Sequence, residues 1–342
     1  MTADATALQR QHRRIERLKE QGVTRTTIFV HNECKPALEG LRHHFVDPDK
    51  AQALASLVEL IHEKKVPTNV AQVRQLSPFR YPGGKTWLVP EVRKWLTAAN
   101  AAPTLFVEPF AGGAMVGLSA AAEGLAKHVF LSELDDDVAA VWQTIFDGKS
   151  ADVRWLCKKI LEFDVNLENV RAIIDSNPTS TSVRAFRTIV KNRMQRGGIM
   201  AAGAGLVKTG EAGRGLNSRW YPETLVHRIE ALHAMRDLVT FEQADAFDVV
   251  RRYADDPNAF FFVDPPYTAG GKKSGSRLYT HYEIDHARLF ELMAAVRGSV
   301  MLTYDDAPEV RSMAACRGFR IEAVPMKNTH HKVMLELLLL KP

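Results

Sequence analysis

From about residue 77 onward, short apolar runs alternate with stretches of helical spacing. Runs at 104–108, 128–133, 240–246, 260–264, 299–304, 319–324 and 333–340 predict strands, several of them apolar enough to be buried on both faces. A helix is predicted over about 285–296. Such alternation predicts an α/β fold with a mainly parallel sheet and helices on both faces. Residues 151–232 instead read as helical and arginine-rich, with a glycine- and alanine-dense middle at 197–215, and are predicted to be inserted into the sheet. The chain before residue 77 has its own pattern. A basic helix-like segment (11–21) precedes the β-branched run 24–30. Two amphipathic stretches follow, one capped by Asn32 and one opened by Asp47-Pro48, and Pro67 ends the pattern. The expected organisation is a strand–helix–helix module with linker (1–76), an α/β domain (77–150 and 233–342) and a helical insert (151–232).

Composition narrows this little. Hydrophobic residues make up 46% and charged residues 25% of 342 residues, as in soluble globular proteins. Lys+Arg 45 against Asp+Glu 40 gives a net charge of +5, which suits a polyanionic partner without requiring one. Cys34, Cys157 and Cys316 form no C-x-x-C pair, so no zinc or redox motif is present and no metal is expected. The polar N-terminus lacks the apolar run of a signal peptide, and nothing approaches the ~18 apolar residues of a membrane span. A cytoplasmic protein is expected.

Three motifs carry chemistry. The first runs Leu105-Phe-Val-Glu108-Pro109-Phe110-Ala-Gly112-Gly113-Ala114, a strand entering a glycine turn and then a helix of small residues. It can bring backbone close to a nucleotide at the carboxyl end of a parallel strand. The next strand ends in Glu133, which can bind both hydroxyls of a ribose; taken alone, it serves equally as a solvated strand end. The second motif is Phe79-Arg-Tyr81-Pro-Gly-Gly-Lys85-Thr86. It is not a phosphate-binding P-loop, because position 79 would have to be glycine. Its aromatic ring and lysine can hold the amino-acid end of a cofactor. The third is Phe260-Phe-Phe-Val-Asp264-Pro265-Pro266-Tyr267, a wholly apolar strand ending in a rigid polar turn. An exocyclic amino group of a base is a poor nucleophile. The Asp264 carboxylate and the Pro265 carbonyl can accept its two N–H groups and stabilise charge that develops on nitrogen. The prolines fix the turn, and Tyr267 can stack on a base taken out of the duplex.

In their order and combination these motifs resemble the Dam-type (D12 class) N6-adenine-specific DNA methyltransferases, over residues 77–342. The resemblance implies a Rossmann-like, S-adenosylmethionine-dependent methyltransferase sheet of seven strands with the last antiparallel, plus a helical target-recognition insert. It implies that Tyr81, Lys85, Glu133 and Asp264 contact S-adenosylmethionine. Asp245, expected at a strand end, and its neighbour Ala246 match positions near the cofactor adenine. Ala114 stands where many members have glycine, Glu133 where Asp is usual, and the insert follows the Dam pattern only loosely. Methylation of cytosine N4 uses the same chemistry and is the nearest rival. A regulator that binds DNA without catalysis is another, against which the intact Asp264–Tyr267 turn and Lys85 speak.

The expected partner is double-stranded DNA. Arg184, Arg187, Lys191, Arg193 and Arg196 lie at helix-compatible spacing, and Lys208, Arg214 and Arg219 follow, with Asn217 nearby. Lys272, Lys273 and Arg277 form a second basic loop directly after the catalytic turn. Basic segments flanking a base-flipping pocket are expected to meet phosphates, and Arg or Asn in the insert to read base edges. The N-terminal module resembles a ribbon-helix-helix fold, in which Arg25 and Thr27 would enter the major groove from a homodimer; a small helical cap on the catalytic domain fits the pattern equally.

Overall fold

The apolar runs form one seven-stranded sheet in the computed structural model, which describes residues 70–80, 84–98, 103–201, 203–267, 280–281, 283–327 and 333–341, with Glu16, Arg17, Glu20, Pro36, Leu38 and Glu39 before them. The chain divides into two units, Met1–Lys65 and Val66–Pro342. The six described positions of the first unit are helical, and the expected ribbon segment with Arg25 and Thr27 lies outside the described residues.

In the second unit the strands are β1 (Leu105–Glu108), β2 (Val129–Glu133), β3 (Val239–Gln243), β4 (Ala259–Val263), β5 (Ser299–Asp305), β6 (Arg320–Lys327) and β7 (Val333–Lys341). Their spatial order is β3-β2-β1-β4-β5-β7-β6. β1 to β5 pair in parallel, and β7 runs antiparallel between β5 and β6. This is the sheet expected from the sequence. From β1 the chain crosses to β2 on one side, while β4 flanks β1 on the other. The strand order therefore reverses between β1 and β4, which opens a crevice at their carboxyl ends.

β4 shows why its sequence is apolar without alternation. Phe262 faces one core, with Phe106, Leu131 and Trp142; Phe261 and Val263 face the other, with Val107, Phe290 and Leu302. Helices cover both faces, so both sets of side chains leave water. Before and between the first strands lie α1 (Val89–Thr97), α2 (Met115–Ala122) and α3 (Asp136–Phe146). Asp135 caps α3 by accepting from the amides of Asp137 and Val138.

Among the described residues four α-helices separate α3 from β3: α4 (Ser150–Glu162), α5 (Leu167–Ile174), α6 (Thr181–Met194) and α7 (Pro222–Ala234). Phe163 meets the rings of Phe186 and Trp220 at 5.4 and 5.3 Å, and Trp220 donates to the Ile160 carbonyl. Further helices among the described residues of this unit are α8 (Ala246–Tyr253), α9 (His286–Ala295) and α10 (Pro308–Ala315). Among the described residues, no helix is long and apolar enough to cross a membrane.

Candidate active site

The glycine turn after β1 is held from three sides. The Ala111 amide donates to the Ser132 carbonyl (2.9 Å), and the Ser132 hydroxyl donates back to the Pro109 carbonyl (3.1 Å). From α3, the buried Trp142 indole donates to the Gly112 carbonyl at 2.9 Å. Gly112 has φ +46° and Ala114 φ +51°, Ala114 being the only non-glycine residue with positive φ among those described. A left-handed alanine costs about 1–2 kcal/mol, a strain that glycine would avoid. The turn and β2 share one carboxylate. Glu133 Oε2 accepts from Gly112 (2.8 Å), and Oε1 from Leu134 and Asp135 (2.8 and 3.0 Å). Burial pushes the Glu133 carboxyl upward, against the pull of these amide donors.

Residues from this turn line a cavity of about 750 Å³, as do Glu133 and the segment Ala244–Phe247. That is within the roughly 300–1,000 Å³ usual for small-ligand sites. One expectation needs correcting here. β3 ends at Gln243, so Asp245 does not finish a strand; it caps α8 by accepting from the Phe247 amide at 2.8 Å. It lines the cavity all the same, as does Ala246. Glu108, Pro109, Phe110, Gly112 and Gly113 also line it. Glu108 is 3% exposed and accepts from the Gly117 amide of α2 at 2.7 Å. Burial and the Asp264 charge push the Glu108 carboxyl well above the ordinary carboxylate range, while Gly117 and Lys85 oppose them.

Asp264 follows β4 at the crevice. Among the described residues three donors reach it, all on Oδ1: Lys85 Nζ (2.9 Å), the Thr303 hydroxyl (2.7 Å) and the Tyr267 hydroxyl (2.9 Å). Lys85 is buried, and its Nζ also lies 3.1 Å from Glu336 Oε1 on β7 and 5.0 Å from the centre of the Tyr267 ring. Tyr267 meets Glu336 through its hydroxyl and stacks on Tyr304 with ring centres 5.6 Å apart. Burial first, then Asp264 and Glu336, pushes the Tyr267 phenol far above its usual range. Pro266 lines the cavity, and Pro265 is buried behind it.

A clamp joins the insert to the segment that leads into Lys85. Asn192 Oδ1 accepts from the Arg80 amide (2.8 Å), and its Nδ2 donates to the carbonyls of Arg80 (3.2 Å) and Gly198 (2.9 Å). Arg193 donates to the Pro78 carbonyl and Arg228 to the Ser77 carbonyl, both at 2.8 Å. Two arginines expected on DNA are therefore interior instead. Arg193, 5% exposed, reaches only the cavity wall, and Arg219, 6% exposed, donates to the carbonyls of Arg193 and Gln195. Desolvation and three neighbouring arginines lower the Arg193 pKa to about 10. Arg187 and Lys191 pair with Asp137 and tie α6 to α3. By contrast Arg196, Lys208, Arg214 and Asn217 are exposed. Tyr81, Lys272, Lys273 and Arg277 lie outside the described residues.

Thr303, Glu336, Gly117 and Asn192 were not singled out from the sequence. Glu336 had a signal, as the one acidic residue in the apolar run 333–340; so had Thr303, a small polar residue that follows Val300–Leu302. Gly117 and Asn192 matter through distant partners, which no local pattern reveals.

A family model described as D12 class N6 adenine-specific DNA methyltransferase matches residues 81–324. A search of curated proteins gives no match. Two solved structures are similar to the chain at low scores. One, from Pyrococcus horikoshii, is described as an RNA methyltransferase: 10% identity over 79% of this chain and 94% of that one, TM-score 0.37. The other is precorrin 8w decarboxylase from Methanobacterium thermoautotrophicum: 12% identity, 74% and 89% covered, TM-score 0.29. Neither score carries an argument about this chain.

Proposed function

This chain belongs to the D12 class of N6 adenine-specific DNA methyltransferases, and on that basis we propose that it methylates N6 of adenine in double-stranded DNA, with S-adenosylmethionine as methyl donor. The observation that carries the proposal is the Asp264 carboxylate at the strand-order reversal, held on one oxygen by Lys85, Thr303 and Tyr267. A carboxylate fixed in this way needs no reorganisation when positive charge develops beside it.

The cavity fits the cofactor. Its volume is adequate, its glycine turn brings backbone to the wall, and Glu133 presents a carboxylate where ribose hydroxyls can meet it. S-adenosylmethionine bound there supplies an electrophilic methyl group. Asp264 and the Pro265 carbonyl accept the two N–H groups of a base flipped into the crevice, which frees the nitrogen lone pair for direct in-line attack. Pro265 and Pro266 hold these acceptors rigid. Lys85 keeps Asp264 in place and partly screens its charge until the amine is cationic. The proton released from the methylated amine passes to Asp264 or to solvent. Among the insert residues, the exposed Arg196, Arg214 and Asn217 meet the duplex.

The test is methyl transfer from labelled cofactor to duplex DNA, followed by nucleoside analysis. N6-methyladenine is expected, with Asp264→Ala inactive. Recovery of N4-methylcytosine, or full activity in Asp264→Ala, overturns the reading.

A further inference from the structure

We propose that Glu336 works as a neutral, protonated positioning residue, which fixes the Tyr267 hydroxyl and through it the Asp264 carboxylate. The inference rests on the reading of Asp264 given above. Glu336 lies on β7, outside the matched residues 81–324, with its side chain 6% exposed. Its Oε1 meets two groups, Lys85 Nζ at 3.1 Å and the Tyr267 hydroxyl oxygen. That same phenolic oxygen lies 2.9 Å from Asp264 Oδ1.

A count of protons decides the state of the cluster. A phenol carries one hydrogen and cannot donate to two carboxylates at once. Ionising the phenol would only worsen the repulsion, and its surroundings oppose it. One of the two carboxyl groups must therefore hold a proton in the contact with Tyr267. Asp264 Oδ1 already accepts from Lys85 and Thr303, and its side chain is 22% exposed against 6% for Glu336. Charge belongs on the carboxylate with more donors and more solvent, and the proton on the other. Lys85 agrees, lying nearer to Asp264 (2.9 Å) than to Glu336 (3.1 Å). A third buried carboxyl, Glu108, is within electrostatic reach of Asp264, so one ammonium cannot balance every acid of the cluster if all ionise. Burial likewise raises the Glu336 carboxyl above the ordinary range. The arrangement is then a directed chain: Glu336 donates to Tyr267, Tyr267 donates to Asp264, and Asp264 alone is ionised, facing Lys85.

Two variants and two readouts test this. Glu336→Gln keeps a donor toward Tyr267 and cannot ionise; Glu336→Leu removes the donor. With Glu336→Gln, kcat should stay within about 3-fold of the parent and lose the decline at alkaline pH that ionisation of Glu336 causes; with Glu336→Leu, kcat should fall about 10-fold or more while cofactor affinity holds. The infrared difference spectrum of the parent minus Glu336→Gln, at neutral pH, should contain a protonated-carboxyl C=O stretch. Equal loss of kcat in both folded variants, parental kcat in Glu336→Leu, or absence of the carboxyl band would each overturn the proposal. The infrared band is read without turnover, so it decides the protonation even if the parent methylates no adenine, an outcome that would sink the functional reading instead.

Discussion

The Gly117 amide donates to Glu108 Oε2 at 2.7 Å, and an added Cβ on Gly117 would lie 2.5 Å from that oxygen and 2.6 Å from Leu131. Helix α2 thus approaches β1 and β2 as closely as atoms allow. Gly117→Ala gains roughly 0.5–1 kcal/mol of helix propensity but incurs about 1–3 kcal/mol of overpacking. The second effect should win, giving a net loss of about 1–2 kcal/mol in denaturant unfolding, with weaker cofactor binding as Glu108 and the turn shift. Unchanged stability would mean that the contact relaxes freely.

Thr303→Val replaces a fully buried hydroxyl by a methyl of similar size and removes one of the three donors to Asp264. A hydrogen bond to a charged group contributes about 1.5–3 kcal/mol, so kcat should fall about 10- to 100-fold if the bond matters in the transition state. Steady-state kinetics with saturating DNA would show it. An effect on KM alone would place Thr303 in binding rather than in holding Asp264 for the chemical step.

Trp142→Phe keeps the aromatic packing against Phe79 and Phe146 and loses the donor to the Gly112 carbonyl. A neutral hydrogen bond contributes about 1 kcal/mol, which predicts roughly 5-fold weaker binding of S-adenosylmethionine by titration calorimetry. Parental affinity would show that Glu133 and Ser132 suffice to hold the turn.

The raised carboxyl of Glu108 has a definite pH signature. A group with a folded pKa above its unfolded one contributes stability that is complete below the unfolded value and disappears as pH rises through the folded value. Tm should therefore decline as pH climbs from the ordinary glutamate value of 4.5 through the raised folded value. Glu108→Gln cannot ionise and should flatten part of that decline. Parallel Tm–pH curves for the two proteins would refute the account.

Arg214 and Arg219 separate recognition from scaffolding. Arg219 is buried on backbone carbonyls, so Arg219→Ala should lower Tm, losing two hydrogen bonds at about 1 kcal/mol each. Arg214 is exposed, so Arg214→Ala should leave Tm alone, weaken DNA binding and reduce the slope of log K against log salt by about 0.9. Loss of thermal stability in Arg214→Ala with an unchanged salt slope would exchange their roles.

The sheet was legible because its strands are local patterns. A run such as Phe260–Val263 can only be satisfied between two apolar layers, and the turn residues after β1 and β4 mark where those strands stop. Asp264 and Glu133 were legible because each stands at a strand end, and Lys85 because it follows a Pro-Gly-Gly run. Burial was not. Nothing local distinguishes Arg193 and Arg219, which face inward, from Arg196 and Arg214, which face solvent: Arg193 is held by the Pro78 carbonyl, more than 100 residues away in sequence, and Arg219 by the carbonyls of Arg193 and Gln195. Asp245 was misplaced for a simpler reason: only Ala244 separates the end of strand β3 from the cap of α8, and no proline or glycine marks the boundary.

Asn192 fastens Arg80 by two hydrogen bonds, and Lys85 follows five residues further along the same segment. Gly198 packs so tightly on the Arg80 carbonyl that no side chain fits between them. The insert is consequently not an exchangeable cassette. A foreign insert grafted between α3 and β3 would have to bring an amide at the position of Asn192 and a bare backbone at that of Gly198. Without them the graft would loosen the lysine that holds Asp264, whatever base sequence it could read. On the proposed reading, new sequence preferences are open to exposed positions such as Arg214 and Asn217, while Asn192 and Gly198 must stay as they are.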